Sequence, residues 1–343
     1  MRRLPAPLGA TLPGVGVLLV GLSLPFWFIS DQYSLVIAIT VVIWSIAAQG
    51  WNIIGGYGGL MSFGHSVFFG IGAYTTAILQ VDFGVSPWIG MLVGAVLAAL
   101  VGAILTYPAL RLKGIYFALA TFVIALLMTD LDIIAVPITG GDLGITLPFV
   151  KDDPALLQFD SRVTLYFVLV AFLAAITLIV GWIAKSRLGL RLRATRDDPD
   201  AARAAGVDVT RVRLVGLIVS AAITSVAGTL MLEFLSAVTP ATGFGIQVGV
   251  TIAMGALVGG RGTILGPIIG IAILVPAQQM VAGAIPQPAG LSGIVYAVII
   301  IAVIMLDSRG VLHLISRLGR WLVQLVRRRG HRPPTATLTE TSS

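Results

Sequence analysis

The chain has 343 residues, of which 57% are hydrophobic and only 11% charged. Soluble domains carry about 25% charged residues, so this composition excludes a soluble globular protein. No cysteine is present, which excludes disulfides, zinc–thiolate sites and thiol catalysis.

Taken in chain order, the pattern predicts an all-α polytopic membrane protein. Uncharged stretches such as 88–110 and 163–184 match the roughly 20 residues needed to cross a hydrocarbon core about 30 Å thick. Backbone groups in lipid must bond within their own segment, so each stretch is read as a helix. The N-terminus begins Met1-Arg2-Arg3 and runs into an apolar segment, as a signal peptide does. Pro25, Phe26 and Trp27 stand where small residues would mark a cleavage site, so a retained first helix is expected. Ten spans are predicted, over about 12–30, 34–54, 62–80, 86–107, 114–136, 162–183, 212–236, 245–258, 263–283 and 290–306. The span at 245–258 is short enough to be broken or re-entrant.

Charge orients these spans. With the N-terminus in the cytoplasm, every basic residue except Lys151 and Arg162 falls in an inside loop or tail. The outside loops receive Asp31, Asp82, Asp142, Asp152, Asp153 and Asp160. The excess of Lys and Arg inside implies an even number of spans and cytoplasmic termini. The net charge of +7 then reads as inside loops facing anionic lipid, not as a nucleic-acid site. Residues 1–308 form the membrane domain, with a long inside loop at about 184–211. Residues 309–329 repeat Val311, Leu314, Ile315, Leu318, Leu322 and Leu325 at helical spacing, with arginines off that stripe. They are expected to lie as an amphipathic helix on the inner leaflet. Residues 330–343 are expected to be disordered. Two inside glycine loops, GGYGGL at 55–60 and GGRGTI at 259–264, form a faint internal echo.

Three features could carry function. The first is WNIIGGYGGLMSFGHSVFFGIGAY at 51–74. Gly55, Gly56, Gly58 and Gly59 suit an unwound joint, which is tolerated at membrane depth only when buried in protein or lining a wet cavity. A tight cytoplasmic turn and a contact with a permeant are both open readings. Asn52, Ser62 and His65 accompany the glycines; a lone histidine there is more often a packing residue than a proton relay. The second feature is the set of ionisable groups within spans, Asp130, Asp132 and Glu233, which are costly in lipid and candidates by default. Thr121, Thr129, Thr239, Gln247 and Thr251 are weaker candidates for lining a pathway, since interhelical hydrogen bonding is their commoner use. The third is the loop AKSRLGLRLRATRDDPDAARAAGVDVTR at 184–211. Asp197 or Asp198 can cap a helix begun by Pro199, and Ala201, Ala202, Ala204 and Ala205 give it a small-residue face ended by Gly206. Such a helix can dock in a groove of another protein; an ordinary basic loop is the plain alternative. No G-x-x-x-x-G-K-[ST], H-E-x-x-H or G-x-S-x-G occurs, so no nucleotide-binding loop or compact catalytic motif is present.

These blocks together resemble the LivM-type permease subunit of bacterial branched-chain amino acid ABC importers. The resemblance rests, in order, on NIIGGYGGLMSFGHSVFFGIGAY, ALRLKGIYFALATF followed by TGGDLGI, SRLGLRLRATRDDPDAARAAGVDVTRVRL, and LVGGRGTILGPIIG. It covers about residues 35–308. It departs at the shortened TGGDLGI and at Leu126, where an acidic residue is common, with Asp130 a turn later. The resemblance implies a second related permease, two cytoplasmic ATPase subunits that hold the ATP and magnesium, and a periplasmic substrate-binding protein. The chain itself is expected to hold no cofactor or metal and to have no catalytic residues. It would sit as a multi-pass protein in the bacterial inner membrane, in contact with lipid and not with nucleic acid. By the same implication the ATPase-coupling residues are Arg193, Arg196, Asp197, Asp198, Ala201, Ala202, Ala205 and Gly206. The pathway or gate candidates are Asn52, Gly55, Gly56, Gly58, Gly59, Ser62, His65, Thr121, Asp130 and Glu233. The expected substrate is a branched-chain or other apolar amino acid; urea or a short amide, moved by close relatives, is the second class. An ion-coupled secondary carrier is the alternative from another class, and it would need carboxylates at midplane. A membrane-embedded enzyme would need clustered His, Asp or Glu at an interface, and only three histidines exist, His65, His313 and His331.

Overall fold

The computed structural model describes residues 32–112, 114–148 and 152–284. The expected spans 12–30 and 290–306, the segments 309–329 and 330–343, and both termini lie outside these residues. The eight remaining expected spans all coincide with helices. Helix α1 (Gln32–Trp51) continues into a π-helical stretch, Asn52–Tyr57. It is followed by α2 (His65–Phe83), α3 (Pro87–Thr106), α4 (Ile115–Ile134) and α5 (Arg162–Lys185). Two short helices, α6 (Arg187–Asp197) and α7 (Pro199–Ala204), precede α8 (Val209–Leu235), α9 (Ile246–Gly260) and α10 (Gly266–Ala284). Seven helices among the described residues are long and apolar enough to cross a membrane. The span expected at 245–258 is unbroken from Ile246 to Gly260, and a separate turn at Pro240–Gly243 adds to its length.

Local chemistry sets the boundaries. Pro87 opens α3, where its missing N–H costs nothing, and Pro108 follows the end of α3 because a proline cannot continue a helix. Asp198 caps α7, accepting from the N–H groups of Asp200 at 2.9 Å and Ala201 at 3.0 Å.

Helix α8 is the axis of the bundle and packs on α1, α2 and α3; α10 packs on α9 and α1, and α5 packs on α1. Lipid removes the hydrophobic drive between helices, so small residues and polar contacts hold them together. Gly72 of α2 shows the first: a Cβ there would stand 2.0 Å from the Ser225 carbonyl oxygen of α8. Thr229 shows the second. Its hydroxyl lies 3.1 Å from the Gly72 carbonyl and 2.9 Å from the Thr76 hydroxyl. Thr229→Val keeps the shape and removes both bonds, so it is expected to destabilise the bundle by about 1 kcal/mol. A fall in melting temperature in detergent reads this out; an unchanged melting curve would show the bonds to be dispensable. By contrast, α4 exposes Ile115, Tyr116, Leu119, Leu127, Leu131 and Ile134 along one face.

The loops sort to two ends. At one end, strand β1 (Ile145–Thr146) pairs antiparallel with β2 (Ala237–Val238), with Ile145 opposite Val238 and Thr146 opposite Ala237. At this strand end the Ser86 hydroxyl donates to the Ala155 carbonyl at 2.6 Å, and the Trp88 indole donates to Pro154 at 3.2 Å. The described parts of the long loop, 137–148 and 152–161, therefore lie over the ends of α2, α3 and α8. At the other end, the glycine-rich stretch, the α6–α7 hairpin and the α9–α10 loop meet.

Candidate coupling site

The joint end is built on the last turn of α1. Gly58 N–H bonds the Ile53 carbonyl at 3.1 Å, five residues back, in place of the usual four. That wider turn leaves Asn52 buried and aimed across the bundle. Its side-chain oxygen accepts from Gly262 N–H at 2.7 Å and its amide donates to the Thr263 carbonyl at 2.8 Å. One turn earlier, the Gln49 amide donates to the Ile264 carbonyl at 2.7 Å. A Cβ on Gly56 would lie 2.5 Å from Gly262 N, so the two glycine loops of the sequence echo pack directly on each other. Gln49, Gly262 and Thr263 are not among the expected site residues; the echo was the signal for Gly262 and Thr263, and Gln49 had none.

The α6–α7 hairpin reaches the same joint through arginines. Arg196 donates to the Gly56 carbonyl at 3.1 Å and pairs with the Asp197 carboxylate at 2.9 Å. Its aliphatic stem crosses Gly59, where a Cβ would stand 2.3 Å from Arg196 Cγ and where φ is +73°. A side chain at Gly59 would face both a steric block and a strained backbone. The Arg193 guanidinium lies 5.5 Å from the centre of the Tyr57 ring and donates to the Ala184 carbonyl. From α8, the buried Arg213 donates to the Thr195 carbonyl at 3.0 Å, a tie the sequence reading missed. Leu192 is fully buried against Gly216 of α8. The hairpin is thus tied to α5, α8 and the glycine joint at once.

The coupling candidates divide by direction. Asp197, Asp198, Ala201, Ala205 and Gly206 are exposed, as is the Arg196 residue despite its inward bonds. Ala202 is 5% exposed and Arg193 is half-buried. These two hold the hairpin to the bundle and do not face outward. The expected small-residue face is therefore narrower than the run of alanines suggested, because the six-residue helix turns Ala202, its fourth residue, inward.

His65 closes the joint from α2. Ser220 donates to the Gly50 carbonyl at 2.6 Å, which commits its only hydrogen. His65 Nε2, 2.8 Å from the Ser220 hydroxyl, must then donate. Nδ1 is left as the acceptor from the Ser62 hydroxyl at 3.0 Å. A neutral His65 is thus the Nε2–H tautomer, and both ring nitrogens are occupied, the arrangement of a packing histidine. The Ser62 carbonyl accepts from the Trp51 indole at 2.7 Å. Gly55 and Gly58 leave room for the Trp51 ring and the Ile54 carbonyl. Thr121 brings α4 to the joint: its hydroxyl accepts from Phe63 N–H at 3.2 Å and donates to Ala118 at 2.9 Å.

The acidic candidates sit elsewhere. Glu233 is buried on α8, and neither of its carboxylate oxygens has a partner among the described residues. The step of thirteen positions from Ser220 to Glu233 puts it about 20 Å further along α8. Asp130 is exposed on α4, whereas Asp132 is the buried one, beside Tyr74. Two residues on a helix differ by about 200° in direction, so helical phase and not depth separates the pair.

A family model described as branched-chain amino acid transport system, permease component, matches residues 33–304. The high-affinity branched-chain amino acid transport system permease protein LivM of Salmonella typhimurium is 27% identical over 292 residues, covering 78% of this chain and 67% of that protein. LivM of Escherichia coli is 27% identical over 290 residues, covering 77% and 67%. The probable branched-chain amino acid transport permease protein LivH of Methanocaldococcus jannaschii is 30% identical over 247 residues, covering 69% and 76%. No solved structure matches the chain significantly.

Proposed function

The chain belongs to the family of branched-chain amino acid transport system permease components, and from that premise we propose how it works as a permease subunit of an ABC importer. It pairs with a second, related permease in the bacterial inner membrane. Two cytoplasmic ATPase subunits supply ATP and magnesium chemistry, and a periplasmic binding protein delivers a branched-chain or other apolar amino acid at the strand end. The joint end is assigned to the cytoplasm because Arg111, Lys185, Arg187, Arg191, Arg203 and Arg261 belong to its loops, while Asp142, Asp152, Asp153 and Asp160 belong to the opposite one. The exposed face of α4 is assigned to the second permease, since it carries Asp130 and a carboxylate facing lipid is costly.

The observation that carries the coupling proposal is the bond from Arg196 to the Gly56 carbonyl. It joins the exposed hairpin to the joint, and the joint holds the α9–α10 loop through Asn52. An ATPase closing on α7 would push α5, α8 and the joint together as one body. Coupling by such a push needs two discrete arrangements of a connected element, and the hairpin provides the connection.

Uptake by the reconstituted complex, competed with unlabelled solutes, tests the reading. Isoleucine and valine are expected to suppress leucine uptake, with urea inert, and uptake is expected to require ATP. Competition by urea would move the substrate to the short-amide class. Uptake by this chain alone, driven by a sodium or proton gradient, would overturn the importer assignment.

A further inference from the structure

Between α1, α8, α9 and α10 lies a cleft of about 470 Å³. Its lining extends from Leu235, Ala241 and Thr242, near the strand end, inward to Trp44, Thr251 and Val275. Beyond that depth α9 and α10 meet backbone to backbone. A Cβ on Gly270 would lie 1.9 Å from the Gly255 carbonyl oxygen, and one on Gly259 would lie 1.7 Å from that of Gly266. The bond from Gln49 to Ile264 and those from Asn52 to Gly262 and Thr263 then shut the joint end. Among the described residues, the cleft is thus closed toward the joint end.

Its lining is chemically particular. Thr40, Thr242, Gln247, Thr251, Gln278 and Gln279 are its polar side chains, and no described residue lining it is ionisable. Thr40 and Thr242 already donate their hydroxyl hydrogens to the Val36 and Thr239 carbonyls. The three glutamine amides and the Thr251 hydroxyl remain to donate and accept. Trp44, Met231, Phe234, Val248 and Val275 supply the apolar wall. Such a volume, mostly apolar with a few hydrogen-bonding groups, is that of a small-molecule pocket.

We propose that this cleft is a solute-binding site within the permease, taking net-neutral zwitterions with an apolar side chain. Resting on the importer reading above, this assigns the place where that solute pauses in this chain. An amide accepts from an ammonium with its oxygen and donates to a carboxylate with its nitrogen, so glutamines can pair both ends of a zwitterion. A lining without charge among the described residues suits a net-neutral solute, which brings no lone charge to be buried. A cationic or anionic side chain would be left unpaired there, which is costly.

The natural absence of cysteine makes the test direct. Gln247→Cys and Thr251→Cys, each in the full complex in nanodiscs without binding protein, are labelled with a small methanethiosulfonate reagent and read on this chain's band. Met280→Cys, exposed on α10 outside the lining, serves as control. Leucine at ten times its dissociation constant is expected to slow labelling at 247 and 251 by about tenfold, as occupancy requires, and to leave 280 unchanged. Arginine and glutamate are expected to protect neither position. Equal labelling rates with and without leucine, in a complex whose parent chain takes up leucine, would overturn the site while leaving the importer reading intact. Absence of leucine uptake by the parent complex would instead strike the importer reading. Protection by arginine or glutamate would overturn the assigned solute class.

Discussion

Arg196→Glu is expected to abolish uptake while leaving the ATPase subunits able to hydrolyse ATP. The native guanidinium bonds the Gly56 carbonyl, and a hydrogen bond to a charged group is worth about 1.5–3 kcal/mol. A glutamate would direct an acceptor at that carbonyl and a second negative charge at Asp197. The ion pair with Asp197 contributes little by itself, because its partners are 35% and 67% exposed and exposed pairs are worth about 0–1 kcal/mol. Asp197→Asn is therefore expected to keep most of the uptake, which separates the joint bond from the surface pair. Loss of the joint bond alone corresponds to a tenfold or greater weakening, at about 1.4 kcal/mol per factor of ten. Uptake and ATP hydrolysis, measured on the same proteoliposomes, decide the matter. Wild-type uptake in Arg196→Glu would remove the hairpin from the coupling route.

Asn52→Leu is expected to open the joint end. Leucine has similar volume but can neither accept from Gly262 N–H nor donate to the Thr263 carbonyl. Each group left unpaired where water is excluded costs about 1–3 kcal/mol. The loop of 260–265 would then exchange its protein partner for water, parting from α1. Arg261 is exposed in that loop, so trypsin applied to the joint end reports the change. Faster cleavage after Arg261, with a lower melting temperature, is the expected result. Native resistance to cleavage together with a native melting curve would show that the glycine packing closes this end without Asn52.

The sequence carried much of the fold because each span is a local decision. Whether 163–184 can cross a membrane depends on its own composition, and α5 forms there. Helix α7 was legible for the same reason: Asp198, Pro199 and Gly206 punctuate a helix within a few residues, whereas α6 before it was not expected. Direction was less legible. A short helix with alanines on several sides does not say which one faces inward, and Ala202 turned inward by packing against the bundle. Asp130 and Asp132 differ only in helical phase, and their phase is set by what α4 packs on. Gln247 and Thr251 were weak candidates in sequence, and only the convergence of four helices made them neighbours of Gln278 and Gln279.

By itself the sequence determined that this is a bundle of apolar helices, where those helices run, and which loops carry the basic charge. Hydropathy, proline, glycine and charge act over a few residues and need no partner. The tertiary structure alone decided that α8 is the axis, that Asn52 bonds a loop 210 residues away, and that Arg196 reaches Gly56 across 140. Those contacts depend on close backbone approach between helices distant in the chain, where small residues permit the approach but do not name the partner. Only the three-dimensional packing turned a glycine-rich stretch and a basic loop into one connected device.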